Sequence, residues 1–480
     1  MVRTKKLLAF AAVGALALAA CGSDGDSSSS TEAPSATDAP DSTEAPSATD
    51  APDSTDAPES TDATETTDAA SGAVYVVDTE ACDDPGAATA QIEALKIGTS
   101  LPLSGAPAAV FAPLAAGQQA YVDYFNAEFG GIEGTPVELV VKDDEYAADK
   151  TKVNVDELVF DDQVTMLAGV VGTPNNIAVQ PDLNAQCIPQ LWSATGAPAF
   201  GNIDEYPWTT GLLVPYAIES QLWADHVADE IGEGSTVALF YVNTEFGLAY
   251  VDAFTKLADE KGFDVVAEET IDVSDSGAPS GQMTNLVQAN PDAILAVPSG
   301  TQCSAFMTEL GNAKAANPDF NPQVYMTATC ANPLFFDVLV SNGGSDGVYT
   351  SSNAKFVLSP EYADDEAVQT FLGAMAAYAP DTNAGDQSAL AGWLSMELAI
   401  YVAQQALDAG DYSRAGIVNA ARNIDYTPAL LVPGFTTSMD AEDAFLAEGT
   451  QLVQWSADSK SFVTAGDVKD YNGTLGTYTP

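Results

Sequence analysis

From residue 94 onward, short apolar runs alternate with longer amphipathic stretches. Runs at 95–101, 137–141, 164–170 and 188–192 have the length and apolar content of strands buried on both faces. Each adjacent pair encloses a stretch with helical periodicity, such as 113–128, so this part predicts a parallel sheet covered by helices on both sides. A second series follows, with strands expected at 237–242, 265–271, 293–297 and 324–327 and helices at 249–261, 280–289 and 303–315. The run 347–352 reads as one more strand. Helices over 361–378 and 386–409 have no place on the second sheet, which implies that the chain crosses back to the first. The expected fold class is α/β, two Rossmann-like lobes with parallel sheets joined by three crossovers near 212–216, 344–348 and 430–436. Lobe I then comprises 94–213 and 347–432, and lobe II comprises 214–346 and 433–480.

In parallel sheets of this kind ligands sit beyond the carboxyl ends of the strands. That rule nominates loops 103–111, 143–146, 172–176 and 193–195 in the first lobe and 243–247, 299–303 and 328–332 in the second, facing one another across a cleft. The loop Gly172-Thr173-Pro174-Asn175-Asn176 is the most informative. Thr173 is expected to cap a helix and Pro174 to occupy its first turn, leaving N–H groups free for a carboxylate or another acceptor-rich group. A well-capped helix with no ligand would carry the same residues, and the hydroxyls of Ser193-Ala194-Thr195 share that ambiguity. Phe111, Tyr146 and Phe246 are candidates for an apolar wall.

Upstream of the lobes the chemistry differs. Arg3, Lys5 and Lys6 precede an apolar run, 7–20, which is too short for a membrane span and ends in Leu18-Ala19-Ala20-Cys21. This pattern resembles a bacterial lipobox and implies an export signal over 1–21, cleavage before Cys21 and lipidation of its sulfur, with stable anchoring if two or more chains are attached. Residues 22–80 read as an acidic Ser/Thr/Pro tether. Over 22–72 only Ser, Thr, Asp, Glu, Ala, Pro and Gly occur, and the sequence at 31–42 is repeated at 43–54. Such a segment builds no core, and as a flexible coil it would reach roughly 40 Å. The whole chain carries 15 Lys+Arg against 69 Asp+Glu, a formal charge of −54. That balance argues against nucleic acid as a partner, and membrane attachment must come from the lipid rather than from a basic patch.

Four strings occur in order along the chain: LPLSG at 101–105, YFNAEFGGIEGTPVELVVKDDE at 124–145, SAT at 193–195 and EFG at 245–247. Together they resemble the type I periplasmic (solute) binding proteins of the leucine/isoleucine/valine-binding family over about 94–480. The resemblance implies the two-lobe periplasmic-binding-protein fold and a binding role for Ser104, Thr173, Asn175, Ser193, Ala194 and Thr195, with Phe246 contacting the ligand from lobe II. It also implies a monomer at the outer face of the cell membrane that hands its ligand to the permease of an ABC importer, with no cofactor. The sequence departs from the family where amino-acid binders place an acidic residue for the ligand ammonium, because Thr329-Cys330-Ala331 stands there. Asp144 or Glu245 would then supply the charge, or Asp143 and Asp144 form a capping pair. The expected ligand is an amino acid, an amide or a related small polar compound.

With Cys21 lipidated, Cys82, Cys187, Cys303 and Cys330 remain, an even number in an exported chain. Three pairings are possible. Cys303 and Cys330 follow successive strands of one lobe, which favours that bond and leaves Cys82 with Cys187. Catalytic readings find little support. The one histidine, His226, falls on a helix with Ile218 and Leu222 at i−8 and i−4 and reads as structural, and no zinc or P-loop pattern is present. The competing use of the same fold is a receptor domain that signals to a membrane sensor.

Overall fold

The computed structural model describes residues 74–105 and 108–476. The export segment, Cys21 and the tether as far as residue 73 lie outside the described residues. The first sheet has the order β2-β1-β3-β4-β5, built from β1 (Lys96–Leu101), β2 (Glu138–Asp143), β3 (Met166–Ala168), β4 (Gln190–Ser193) and β5 (Thr209–Gly211). Every pairing is parallel. Around it lie α1 (Pro85–Thr89), α2 (Ala108–Phe129), α3 (Ala148–Asp156) and α4 (Thr173–Ala185). The second sheet contains β6 (Thr236–Val242), β7 (Asp264–Ile271), β8 (Ala293–Val297), β9 (Gln323–Met326), β10 (Tyr349–Ser352), β11 (Gly449–Ser456) and β12 (Ser461–Asp470), in the order β12-β11-β10-β9-β8-β6-β7. Its helices are α5 (Tyr216–Glu230), α6 (Glu245–Lys261), α7 (Ser280–Ala289) and α8 (Gln302–Ala316). Three further helices, α9 (Glu366–Tyr378), α10 (Gln387–Asp408) and α11 (Arg414–Arg422), return to the first lobe.

Central strands are apolar on both faces: β8 is buried at every position, as are β3 and β4. The edge strand β2 is exposed at both ends and half-buried between. α10 lies against α2 at a crossing set by two glycines. A Cβ on Gly117 would stand 1.9 Å from the Ala389 carbonyl oxygen, and one on Gly392 would stand 2.0 Å from that of Leu114. Only hydrogen at both positions permits the backbones to approach so closely.

Three boundaries differ from the sequence reading. β10 pairs parallel to β9 and antiparallel to β11, so it belongs to lobe II, and the return to lobe I falls after Ser352 rather than at 347. The polar sequence Tyr-Thr-Ser-Ser gives no apolar signal of a central strand, yet Thr350 and Ser351 are buried. The final crossing also comes later than 430–436. Met439 and Leu446 belong to the same apolar core as Ile97 and Trp192, and the Met439 N–H donates to the Ile424 carbonyl, so lobe II resumes only with β11. Residues 75 and 77, inside the tether reading over 22–80, pack on lobe I. Backbone N–H groups of Tyr75 and Val77 donate to the Asn423 and Asn419 side chains of α11 at 2.7 Å each, and Val77 is buried. The apolar stretch Val74-Tyr75-Val76-Val77 is what distinguishes this segment from the polar run before it.

Two disulfides are present. Cys82–Cys187 ties the entering segment to the turn before β4, with Cα atoms 5.5 Å apart, and Cys303–Cys330 joins the starts of the segments after β8 and β9, with Cα atoms 5.8 Å apart. No helix among the described residues is long and apolar enough to cross a membrane.

Candidate functional site

A cavity of about 250 Å³ lies at the carboxyl ends of both sheets, between the lobes. Lobe I contributes Phe111 and Leu114 of α2, Tyr146, and the segment Val171-Gly172-Thr173 at the start of α4. Lobe II contributes Tyr216 and Glu219 of α5, Phe246 and Tyr250 of α6, and the loops after β8 and β9. A third wall is α10, where Ser388, Ala391, Leu394 and Leu398 follow one helical stripe along the cavity for about 15 Å. Aromatic rings line the cavity from both lobes. Phe111 and Tyr146 stack at 6.2 Å, while Tyr216 meets Phe246 edge-on at 5.4 Å and stacks on Tyr250 at 4.3 Å.

Gly172 precedes α4 with φ near +102°, a conformation in which a Cβ would stand 3.0 Å from Asn175 Oδ1 and 3.1 Å from the Tyr146 ring. This glycine, rather than Thr173, is the N-cap. Thr173 is the first helical residue, Pro174 follows it, and the early N–H groups of the helix point out of its N-terminal end. The Thr173 hydroxyl lies 2.7 Å from that of Thr195, which also accepts from the Ala197 N–H and the Tyr216 hydroxyl. A register shift between Gln190 and Ser193, with Trp192 at φ near +54°, bends the end of β4 so that Ala194 reaches the cavity.

Of the residues expected to touch ligand, Thr173, Ala194 and Phe246 line the cavity. Ser104, Asn175, Ser193, Thr195 and Asp144 do not. Thr195 stands behind Thr173 as its hydrogen-bond partner. Ser193 and Asn175 are buried, and Ser193 Oγ and Asn175 Oδ1 have no partner. Ser104 is half-buried, and its N–H donates to Asp143. Asp144 is wholly buried and accepts from Ser100 Oγ at 2.7 Å, from Thr151 Oγ1 at 3.0 Å and from the Tyr146 N–H at 2.9 Å. Asn175 in turn donates to Thr151 at 2.7 Å. Asp144 therefore fixes the loop carrying Tyr146 and the start of α4, and it does not line the cavity. Glu245 is exposed and does not line the cavity.

The carboxyl that does line the cavity is Glu219, which the sequence reading missed. It accepts from the Tyr250 and Ser351 hydroxyls and from the Ala328 backbone, and burial pushes it up to about 7 against those donors. Its signal was present: Tyr216, Glu219, Trp223 and Val227 share one face of α5 at helical spacing, which puts a carboxyl on an apolar stripe. His226 lies on the same helix, where its Nδ1 is 2.6 Å from the Tyr325 hydroxyl, away from the cavity. Among the described residues no Lys, Arg or His lines the cavity.

Comparison with known proteins agrees with this geometry. A family model described as periplasmic binding protein matches residues 94–460. No curated protein matches. Several hundred solved chains share the fold. One is a possible leucine/isoleucine/valine-binding protein from Rhodopirellula baltica SH 1, with 20% identity over 79% of this chain and 97% of that one and a TM-score of 0.66. Another is a fatty acid ABC transporter substrate-binding protein from Thermomonospora curvata, with 16% identity over 80% and 94% and a TM-score of 0.67. A branched-chain amino acid ABC transporter from Thermus thermophilus with bound valine shows 16% identity over 80% and 99% and a TM-score of 0.68. The chain therefore belongs to the periplasmic binding protein family, with the two-lobe architecture of its type I, leucine/isoleucine/valine-binding branch.

Proposed function

We propose that this protein is the extracytoplasmic solute-binding component of an ABC importer, lipid-anchored through Cys21, which captures a small molecule between its lobes and delivers it to the permease. The interlobe cavity carries the reading. It is lined by both lobes, and at about 250 Å³ it suits a ligand below drug size. Its lining amends the expected ligand class. Leu114, Val171, Leu390, Leu394, Leu398 and Leu431 call for an apolar body, while Thr173, the start of α4 and Glu219 serve a polar end. A branched-chain amino acid such as the valine bound by the Thermus relative has that form, and so does the cargo named for the Thermomonospora relative.

A thermal-shift screen of the mature chain against amino acids, amides, amines and organic acids, followed by calorimetry, tests the proposal. A true ligand at a thousandfold excess over its Kd adds about 4 kcal/mol to stability. Loss of uptake of that compound on deletion supports import. Intact uptake with a lost transcriptional or motility response would instead favour the receptor use of the fold. No shift with any class, and unchanged uptake, would overturn the binding function.

A further inference from the structure

Four features of the cavity wall point the same way. Among the described residues, Glu219 is its one carboxyl; no basic side chain lines it; five aromatic rings take part in its wall; and the other lining residues are aliphatic or uncharged polar. An anion entering this space would meet hydroxyls, amides and a helix end but no positively charged side chain, and a neutral compound would leave Glu219 without a new partner. A cation has three sources of attraction: the carboxylate, the faces of the rings, and the field of a chain with net charge −54. On the reading of this cavity as the ligand site, we infer that the ligand is an organic cation, a protonated amine or quaternary ammonium on a narrow apolar body. Its charged end lies at Glu219 among Tyr216, Phe246 and Tyr250, and its body lies along α10.

Glu219 is suited to this part by its surroundings. Its two carboxyl oxygens take one hydroxyl each, from Ser351 and Tyr250, and a carboxylate has about four lone-pair sites, more than these hydroxyls and the Ala328 N–H fill. The hydroxyl of Tyr250 is held in turn by Thr327 at 2.9 Å, which fixes the direction of the carboxyl. The titratable groups facing it are Tyr216 on its own helix and Tyr250 on α6; β10 presents Ser351, and the loop after β9 presents the Ala328 N–H. None of these carries a positive charge, so a bound cation would be its first. Because burial holds the carboxyl at about 7, a cation binding there displaces a proton and binds more tightly as the pH rises.

The test uses three probes of matched shape on the full chain: hexylamine, 1-hexanol and heptanoate, by calorimetry. Hexylamine is expected to bind most tightly, at least tenfold above the other two, and to weaken about tenfold from pH 8 to pH 6 with proton release that depends on buffer ionisation enthalpy. Glu219→Gln should cut the ratio of hexylamine to hexanol affinity at least tenfold. Should that variant fail to fold, the pH arm on the unaltered protein decides. Heptanoate or hexanol binding as tightly as hexylamine, a pH-independent hexylamine affinity, or no binding of hexylamine overturns the assignment. In each of those cases a valine- or fatty-acid-type ligand found in the broader screen would leave the solute-binding function standing.

Discussion

Glu219 also bears on stability. Its folded value near 7, like that of Glu448 at the last crossing, exceeds the ordinary 4.5 because burial disfavours the charged form. The folded state therefore holds more protons than the unfolded state between about 4.5 and 7. Stability contributed by these two groups is full below that window and declines as pH rises through it. Thermal melting is expected at a higher temperature at pH 5.5 than at pH 7.5, with a shallower slope in Glu219→Gln; equal slopes would contradict the assignment. Asp144 makes the opposite kind of test. Asp144→Ala removes the acceptor shared by Ser100, Thr151 and the Tyr146 N–H and should cost about 1 to 3 kcal/mol of stability, read by urea unfolding. Phe246→Ala should act on ligand instead. Its ring closes the second-lobe wall against Tyr216, so truncation is expected to raise the dissociation rate in stopped-flow measurements and leave association nearly unchanged. At this scale the cavity-lining positions of Phe246, Thr173 and Ala194 were legible because strand-end loops face the cleft by rule. Asp144, which does not line the cavity, was harder to place, because a strand-end carboxylate looks the same in sequence whether it faces the cleft or anchors its own loop.

Helix and strand positions were largely readable where a single apolar period ran uninterrupted. α7 and α8 match the expected 280–289 and 303–315 closely, and β8 matches 293–297. The short β5, Thr-Thr-Gly, and the alternating β11 and β12 gave no run of apolar residues and went unread. β10 was found but put on the wrong sheet, because strand pairing is a long-range property that its own four polar residues do not encode. α10 was located as a helix, yet its part in the cavity was not evident, since a helix buried on nearly every face shows no stripe to orient. Its contact with α2 yields a sharp expectation. Gly392→Ala or Gly117→Ala forces a methyl group into a facing carbonyl and should destabilise by about 1 to 3 kcal/mol or displace α10, with the melting temperature as readout.

For the whole molecule, the two-lobe α/β plan and the family were legible from the alternation of strands and helices and four ordered strings, whereas the crossings drifted by several residues. The disulfides operate at this scale too. Cys82–Cys187 closes a separation of 105 residues and Cys303–Cys330 one of 27. Chain-entropy arguments give about 4.7 and about 3.6 kcal/mol for loops of those sizes. The Cys82→Ser/Cys187→Ser variant is expected to melt lower than Cys303→Ser/Cys330→Ser; the reverse order would show that local packing rather than chain connectivity governs their effect.

The first of those bonds has a mechanical meaning as well. Residues 74–77 are clipped to α11 by two asparagine side chains, an attachment that yields easily when drawn outward one hydrogen bond at a time. A pull applied upstream of Val74 would peel the segment only as far as Cys82. There the covalent link diverts the load to Cys187, beside the inner strand β4, and the sheet resists it in shear with several strands engaged at once. Stretching by optical tweezers from the N-terminal side should therefore show an early low-force step that ends at Cys82, and reduction of the bond should let the first lobe unravel from its edge.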